Sequence, residues 1–348
     1  MNPILFDKTA TDFSSNGIGR LSDCVSCNVT EKLNGAYELN MVYPVTGAHF
    51  SDIGINSIIV VLHEDSDDLQ PFEVYKITTP IDGKVAIFAQ HISYRLNKIP
   101  TMPFSIPSGP TACENALAGL KYYAVEPCPF NFWTDVHTAG SYNQIAPAGI
   151  RERLGGVEGS ILDLFGGEYE WDKFTVKLHI QRGSANTGFT LKYGKNITTI
   201  EQEKELSNVI TGVVPYWLST DGEDILTLTE KAVYSVYANN YPYHLTVPLD
   251  LSQNWQEKPS EESLRLAAQA YVNSSKLGIP RVSIEVSFVA LWQSEEYKDI
   301  APLERVKLGD AVTVYFDKLG IEEFAWVVGT EYNLLKEMYD SVQIGSTW

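Results

Sequence analysis

The chain has 348 residues, 44% hydrophobic and 11% aromatic with 19 Tyr, which allows two or three domains and suits a β-rich architecture. Its 26 basic and 44 acidic residues give a net charge of −18, which argues against a nucleic-acid grip, since that needs a positive footprint. No apolar run approaches the roughly twenty residues of a membrane span. The start MNPILFDKTATDF lacks the basic end and apolar core of a signal peptide, so synthesis in the cytoplasm is expected.

Residues 20–44 read as a hairpin. Val25, Cys27 and Val29 alternate with polar residues, Asn34-Gly35 tolerates the positive φ of a tight turn, and Tyr37, Leu39, Met41 and Tyr43 line one face of the return strand before Pro44 ends it. Ile58 to Leu62 is a continuous apolar run fit for a covered strand, and the acidic stretch from His63 to Asp68 is a turn. Phe72 to Thr79 and Lys84 to His91 make a second hairpin about Asp82-Gly83. Strands joined by tight turns without helices between them predict an antiparallel sheet or barrel.

Pro100, Pro103, Pro107 and Pro110 mark a change of composition and an extended boundary. Thr111 and Glu114 have capping-box spacing and open a helix to about Tyr123. A second helix is expected from Arg151 to Phe165, with Leu154, Val157, Ile161, Leu162 and Phe165 at helical spacing and Gly166-Gly167 as its stop. In the hairpin that follows, Tyr169 and Trp171 alternate with Glu168, Glu170 and Asp172, and Thr175 to Ile180 is the return arm. Two helices and a small sheet predict an α/β unit inserted into the β chain. Lys195 to Asn208 reads as a polar connector.

Val209 to Leu218 opens a second β region, with a turn at Asp221-Gly222 and short strands at Ile225 to Leu228 and Ala232 to Tyr237. Tyr237, Tyr241, Tyr243 and Trp255 crowd a loop-rich segment. A helix follows to about Ser274, with Ser260 as cap, Glu261 and Glu262 in its first turn, and Leu264, Ala267, Ala268 and Tyr271 on one face. Val282, Ile284, Val286 and Phe288 alternate on a strand. Gly309-Asp310 turns into another within Leu303 to Phe316, and Phe324 to Thr330 and Tyr339 to Ile344 finish the sheet. The residues predict an α+β fold, mainly antiparallel β, in which two similar barrels are possible.

No constellation of catalytic residues stands out. His63-Glu64 is followed by Asp67 where a zinc peptidase needs its second histidine. Cys128, His137 and Asp135 are the one thiol-centred triple close in sequence, a weak signal because triads assemble in space. Glu168, Glu170 and Asp172 share a strand face, which reads as a solvated or lumen-facing edge rather than a glycosidase pair. The Tyr237 to Trp255 group suits an interface better than a sugar platform. Cys24 and Cys27 form a lone C-x-x-C on a predicted strand, where positions three apart face opposite sides, so one is expected buried and the other not. With Cys113 and Cys128 they are taken as free structural thiols. No catalytic, cofactor or metal residue is assigned.

GSILDLFGGEYEWDKFTVKLHIQRG (159–183) followed by LKYGKN (191–196) resembles the phage tail family called prophage endopeptidase tail, the N-terminal parts of tail-associated lysins of siphophages and Gram-positive prophages. NGAYELNMVYP (34–44), AQHISYRL (89–96) and LGDAVTV (308–314) extend the resemblance over most of the chain. The resemblance implies a baseplate hub-like fold. It has a first β-barrel domain at 1–100 plus about 183–207, an inserted α/β domain at 101–182, and a second barrel at 208–348 with a helical insertion at about 240–280. It implies a structural tail-tip subunit whose trimer forms a ring, joins the tail tube or distal tail protein to tip or receptor-binding proteins, and lets DNA pass without specific binding. The acidic charge fits such a duct, although solubility accounts for most of it. The expected place is the virion tail tip, without membrane insertion. Longer relatives carry a lytic or receptor-binding region after the hub, and none is expected before Trp348. The alternatives are a peptidoglycan endopeptidase acting in cell-wall penetration and a carbohydrate-binding module using Tyr243 and Trp255.

Overall fold

The computed structural model describes residues 2–62, 69–78, 82–185, 190–192, 197–205, 209–219, 221–255, 257–274, 277–278, 281–288, 306–316 and 321–345. The chain forms two compact units, Met1–Ile200 with Glu285–Ile344 and Glu201–Ile284 with Gly345–Trp348. The fold is α+β and mostly antiparallel β, with a few helices.

The first unit is built on β1 (Ile4–Phe6), β2 (Gly19–Arg20), β3 (Ser26–Lys32), β4 (Tyr37–Pro44), β5 (Ile58–Leu62), β6 (Leu69–Thr78) and β7 (Lys84–His91). These belong to a 13-stranded sheet. Its main path runs Ile197–Glu205, Arg281–Phe288, Met338–Gly345, Ile321–Asn333, β3, β4, β7, β6, β5, β1, β2. Ala311–Phe316 pairs with Ile321–Asn333 and, in parallel, with Thr190–Lys192. The alternation read from the sequence is the alternation that buries: Cys27, Val29, Tyr37, Leu39, Met41 and Tyr43 are all inward, and β5 is buried along Ile58 to Val61. Asn34 takes the left-handed φ of 54° that the β3–β4 turn requires. β3 is the seam of the sheet, since it pairs antiparallel with β4 and with Ile321–Asn333.

After β7 the chain makes α1 (Ala112–Tyr122), whose inner face is Ala112, Cys113, Ala116, Leu117 and Leu120. Asn131–Thr134 lies parallel to Thr175–His179, and that strand pairs antiparallel with Glu168–Asp172. The proline-marked stretch is extended as expected, with Phe104–Gly109 pairing Gly140–Gln144 and Pro100–Thr101 pairing Ala148–Gly149.

In the second unit Gly212–Leu218 is the common partner of Ile225–Thr227, Val233–Tyr234 and Thr246–Asp250. Val213, Trp217, Leu228 and Val233 form a core with Leu264, Ala268 and Val272 of the late helix. Burying each of the larger side chains contributes about 1.5–3 kcal/mol.

Several expectations are corrected. The helix expected from Arg151 to Phe165 is two short ones, α2 (Ile150–Leu154) and α3 (Ile161–Phe165). Gly156 and Gly159 between them adopt φ of 93° and 74°, which leaves Val157 exposed. Ser160 caps α3 by accepting from the Asp163 N–H, and Gly166 closes it with φ of 70°. Thr111 makes no side-chain cap on α1; its hydroxyl instead accepts from Asn115 Nδ2 at 3.2 Å. Val25 precedes β3 and is exposed. The connector expected over Lys195 to Asn208 contains the strand Ile197–Glu205. The late helix α4 (Glu261–Ser274) is capped by Ser260 as expected, but its inner face ends on Val272, and Tyr271 is exposed. The acidic turn from His63 to Asp68 lies outside the described residues.

Candidate functional site

The thiol-centred triple does not assemble. Asp135 Oδ1 accepts from the Ile180 N–H at 2.7 Å, and His137 is exposed. Burial pushes the Cys128 thiol up, and the Phe130 backbone and Lys121 offset only part of that. Among the described residues no hydrogen bond joins any two of the three. The four cysteines are free. Cys113 is buried, which raises its thiol to about 11.

The groups that do converge sit where the Glu168–Asp172 hairpin meets the N-terminal sheet. A chain of polar side chains begins at Asp172, which accepts from Gln70 Nε2 at 3.2 Å. Gln70 Oε1 accepts from the Lys173 N–H at 3.0 Å and lies 3.3 Å from His91 Nε2. His91 Nδ1 lies 3.0 Å from Ser93 Oγ, and Arg151 donates to that hydroxyl at 2.8 Å. The Arg151 guanidinium is held between rings, 4.0 Å from the Tyr94 centroid and 4.3 Å from that of Trp171. Burial lowers its pKa from the usual arginine value. His91 itself is fully buried and stacks on Tyr37 at 4.7 Å.

A second set of contacts closes the same joint. The Asn34 amide in the β3–β4 turn accepts from the Tyr169 N–H at 2.8 Å and donates to the Gly167 carbonyl at 3.0 Å. Arg182 reaches the buried Glu31 on β3 at 2.6 Å, and its own backbone N–H donates to Glu168 Oε2 at 2.6 Å. The joint therefore fixes the orientation of the hairpin on the sheet. Its chemistry is positional: it joins acceptors to donors, and the hydroxyl that lies beside an imidazole, Ser93 on His91, is buried and accepts from Arg151.

The carboxylate face expected as a solvated edge is an ion-pair ladder. Lys177 donates to Glu170 at 2.7 Å and to Asp172 at 3.3 Å, and His179 Nε2 lies 2.9 Å from Glu170. Burial alone would raise the pKa of Glu170 and Asp172. Hydrogen bonds from Lys177 to the first, and from Lys173 and Gln70 to the second, bring both below their ordinary values. Lowered folded-state values stabilise the fold above the ordinary carboxylate range, and this contribution is lost as pH falls through the lowered values. Lys177→Met is expected to remove on the order of 1 kcal/mol at pH 7 and much less near pH 3. A pH series of urea unfolding checks it, and a difference between the two chains that does not shrink in acid refutes it. Glu168 behaves oppositely: burial raises it, and the Arg182 N–H and charge offset only part of that.

In the second unit the aromatic group is dispersed. Trp255 packs against the core and its carbonyl accepts from Trp217 Nε1 at 3.1 Å. Tyr241 donates to the Gly278 carbonyl at 2.9 Å, while Tyr237 and Tyr243 are exposed. Among the described residues no group of three His, Cys, Asp or Glu residues is placed to hold a metal ion, and no helix is long and apolar enough to cross a membrane.

Residues 185–347 match the model of the family described as prophage endopeptidase tail. No curated protein matches the sequence. Among solved structures the chain is similar to the prophage tail protein gp18 of Listeria monocytogenes EGD-e, with TM-score 0.63 and 13% identity over 100% of this chain and 95% of that one. It is similar to a tail protein of Neisseria meningitidis MC58, with TM-score 0.59 and 10% identity over 99% and 96% of the two chains. The 43 kDa tail protein of prophage MuSo2 from Shewanella oneidensis gives TM-score 0.59 and 10% identity over 99% and 98%. At these identities the likeness is one of fold. Residues 185–347 are thus similar to the prophage endopeptidase tail family, and the fold of the whole chain is that of these prophage tail proteins.

Proposed function

We propose that the chain is a hub-like subunit of the phage tail tip, three copies of which close a ring that continues the tail tube and lets DNA pass through its centre. The observation that carries the reading is a fold likeness to prophage tail proteins that runs the whole length of the chain. In this reading residues 1–100 with about 183–207 form one barrel, 101–182 the inserted α/β domain, and 208–348 the second barrel with its helical insertion at about 240–280. The partners are further copies of the chain, the tail tube or distal tail protein on one side, and tip or receptor-binding proteins on the other. The net charge of −18 is of the sign that repels phosphate, so passing DNA would not stick. The protein would reside in the virion at the tail tip.

The test is the solution mass of the purified chain at high concentration, with negative-stain images of the same fractions. A mass three times that of the 38.8 kDa chain and rings with a central hole are expected. A monomer that persists after the tail-tube protein is added refutes the trimeric ring.

A further inference from the structure

The C-x-x-C at the entry to β3 has the split burial expected of it, although Cys24 lies ahead of the strand. Cys24 lies before β3, in a turn closed by its N–H donating to the Leu21 carbonyl at 3.3 Å. Its thiol folds forward toward the first residue of the strand. Cys24 Sγ donates to the Ser26 carbonyl at 3.1 Å, which sets it over the peptide that leads into Cys27, and lies 3.8 Å from the Val42 carbonyl. Cys27 faces inward from the residue that follows the Ser26 carbonyl, so Cys24 Sγ lies beside the peptide that carries the second thiol. Cys24 is half-buried and reachable, whereas Cys27 is fully buried.

We propose that Cys24 and Cys27 are a redox dithiol, which a small-molecule disulfide oxidises to an intramolecular bond that staples the turn before β3 to β3 itself. In the first step the Cys24 thiolate attacks one sulfur of the small disulfide, forms a mixed disulfide and expels one small thiolate. In the second the Cys27 sulfur, losing its proton, attacks Cys24 Sγ and expels the other small thiolate. Two protein thiols are oxidised by two electrons, and one disulfide is reduced to two thiols.

The asymmetry of the pair suits these roles. The neighbouring Cys27 thiol holds the Cys24 thiol below its ordinary value, against the opposing effect of burial. Cys24, with burial, pushes Cys27 well up, so Cys24 is the attacking sulfur and Cys27 the resolving one. Cys113 and Cys128 are both raised by burial and are poor competitors. In the reducing cytoplasm the pair stays open, and it closes after the assembled protein leaves that compartment. The staple acts on the seam strand of the sheet, because β3 is bonded on both edges.

The test treats the reduced full-length chain with glutathione disulfide. Thiols are then counted after denaturation, alongside intact mass and peptide mapping. The four thiols are expected to fall to two, with a mass lower by two hydrogens and a Cys24–Cys27 cross-linked peptide. Cys27→Ser is expected to hold one glutathione on Cys24. Cys24→Ser, whose changed side chain is half-exposed, is expected to keep its three remaining thiols. Cys24 is expected to react roughly tenfold faster than Cys113 or Cys128 in the native chain. Retention of all four thiols, a stable glutathione adduct on the wild-type chain, or first reaction at Cys113 or Cys128 overturns the proposal.

Discussion

Arg151→Ala is expected to destabilise the larger unit by roughly 3 kcal/mol. The guanidinium lies over both Tyr94 and Trp171, and a desolvated cation–π contact is worth about 1–2 kcal/mol. Its hydrogen bond to Ser93 adds about 1 kcal/mol, and truncation leaves that hydroxyl short of a donor in a buried place. The unfavourable burial of the charge acts the other way, so Arg151→Met, which keeps the stem and drops the charge, is expected to cost only about 1–2 kcal/mol. Arg151→Lys is expected to fall between the two, since a point charge on a flexible stem cannot lie flat between two rings. Urea unfolding of the three variants checks the order. An alanine variant within about half a kcal/mol of the wild type, the range of an ordinary surface change, would show that the ring sandwich carries no stability.

That joint was invisible in the sequence because its partners are remote in the chain: Asn34 with Tyr169, Gln70 with Asp172, Glu31 with Arg182. Periodicity reports which way a residue faces, and says nothing of what it meets. One signal was available. Glu31 falls on the same alternation as Cys27 and Val29, and a carboxylate on a buried face requires a cation. Alternation alone placed β3, β4 and β7 well, because each buries one face. It failed at residues 151–165, where the apolar spacing persists through three glycines that favour other conformations. At the C-x-x-C it gave the split in burial, Cys27 inward and Cys24 half-buried, although the strand begins only at Ser26. The late helix was legible at its start because a cap is a local interaction. Its inner face was misread at Tyr271 and Val272, since helical spacing allows either neighbour at the edge of the stripe.

The second large effect is expected at Gly183, where the chain leaves the hairpin and crosses the turn before Ala311–Phe316. Gly183 has φ of 76° and Gly309 has φ of 87°, and the two backbones press together. A Cβ on Gly183 would stand 2.5 Å from the Gly309 carbonyl oxygen and 2.6 Å from the Asp310 nitrogen. The Asp310 N–H already donates to the Lys307 carbonyl at 3.0 Å, and the groups around the two atoms are bonded as well. Asp310 Oδ1 accepts from the Ser184 N–H at 2.8 Å, the Ala311 N–H donates to Ser184 O at 2.9 Å, and the Gly309 N–H donates to Val327 O at 2.8 Å. Relief of the clash must therefore break bonds that position Thr190–Lys192 for its parallel pairing with Ala311–Phe316. Gly183→Ala combines about 1–2 kcal/mol of left-handed strain with that displacement, and a total of roughly 3 kcal/mol or more is expected. Gly83→Ala is the control. Gly83 has nearly the same φ, 77°, but nothing lies within 4 Å of its added carbon, so it bears the strain alone, about 1 kcal/mol. Urea unfolding of the two variants separates conformation from contact. Equal losses would mean that the crossing yields freely and that the two glycines are needed only for their backbone angles. A large excess at Gly183, with early hydrogen exchange at the amides of Ala311–Phe316, would identify the crossing as the point that holds the hairpin's exit to the C-terminal strands.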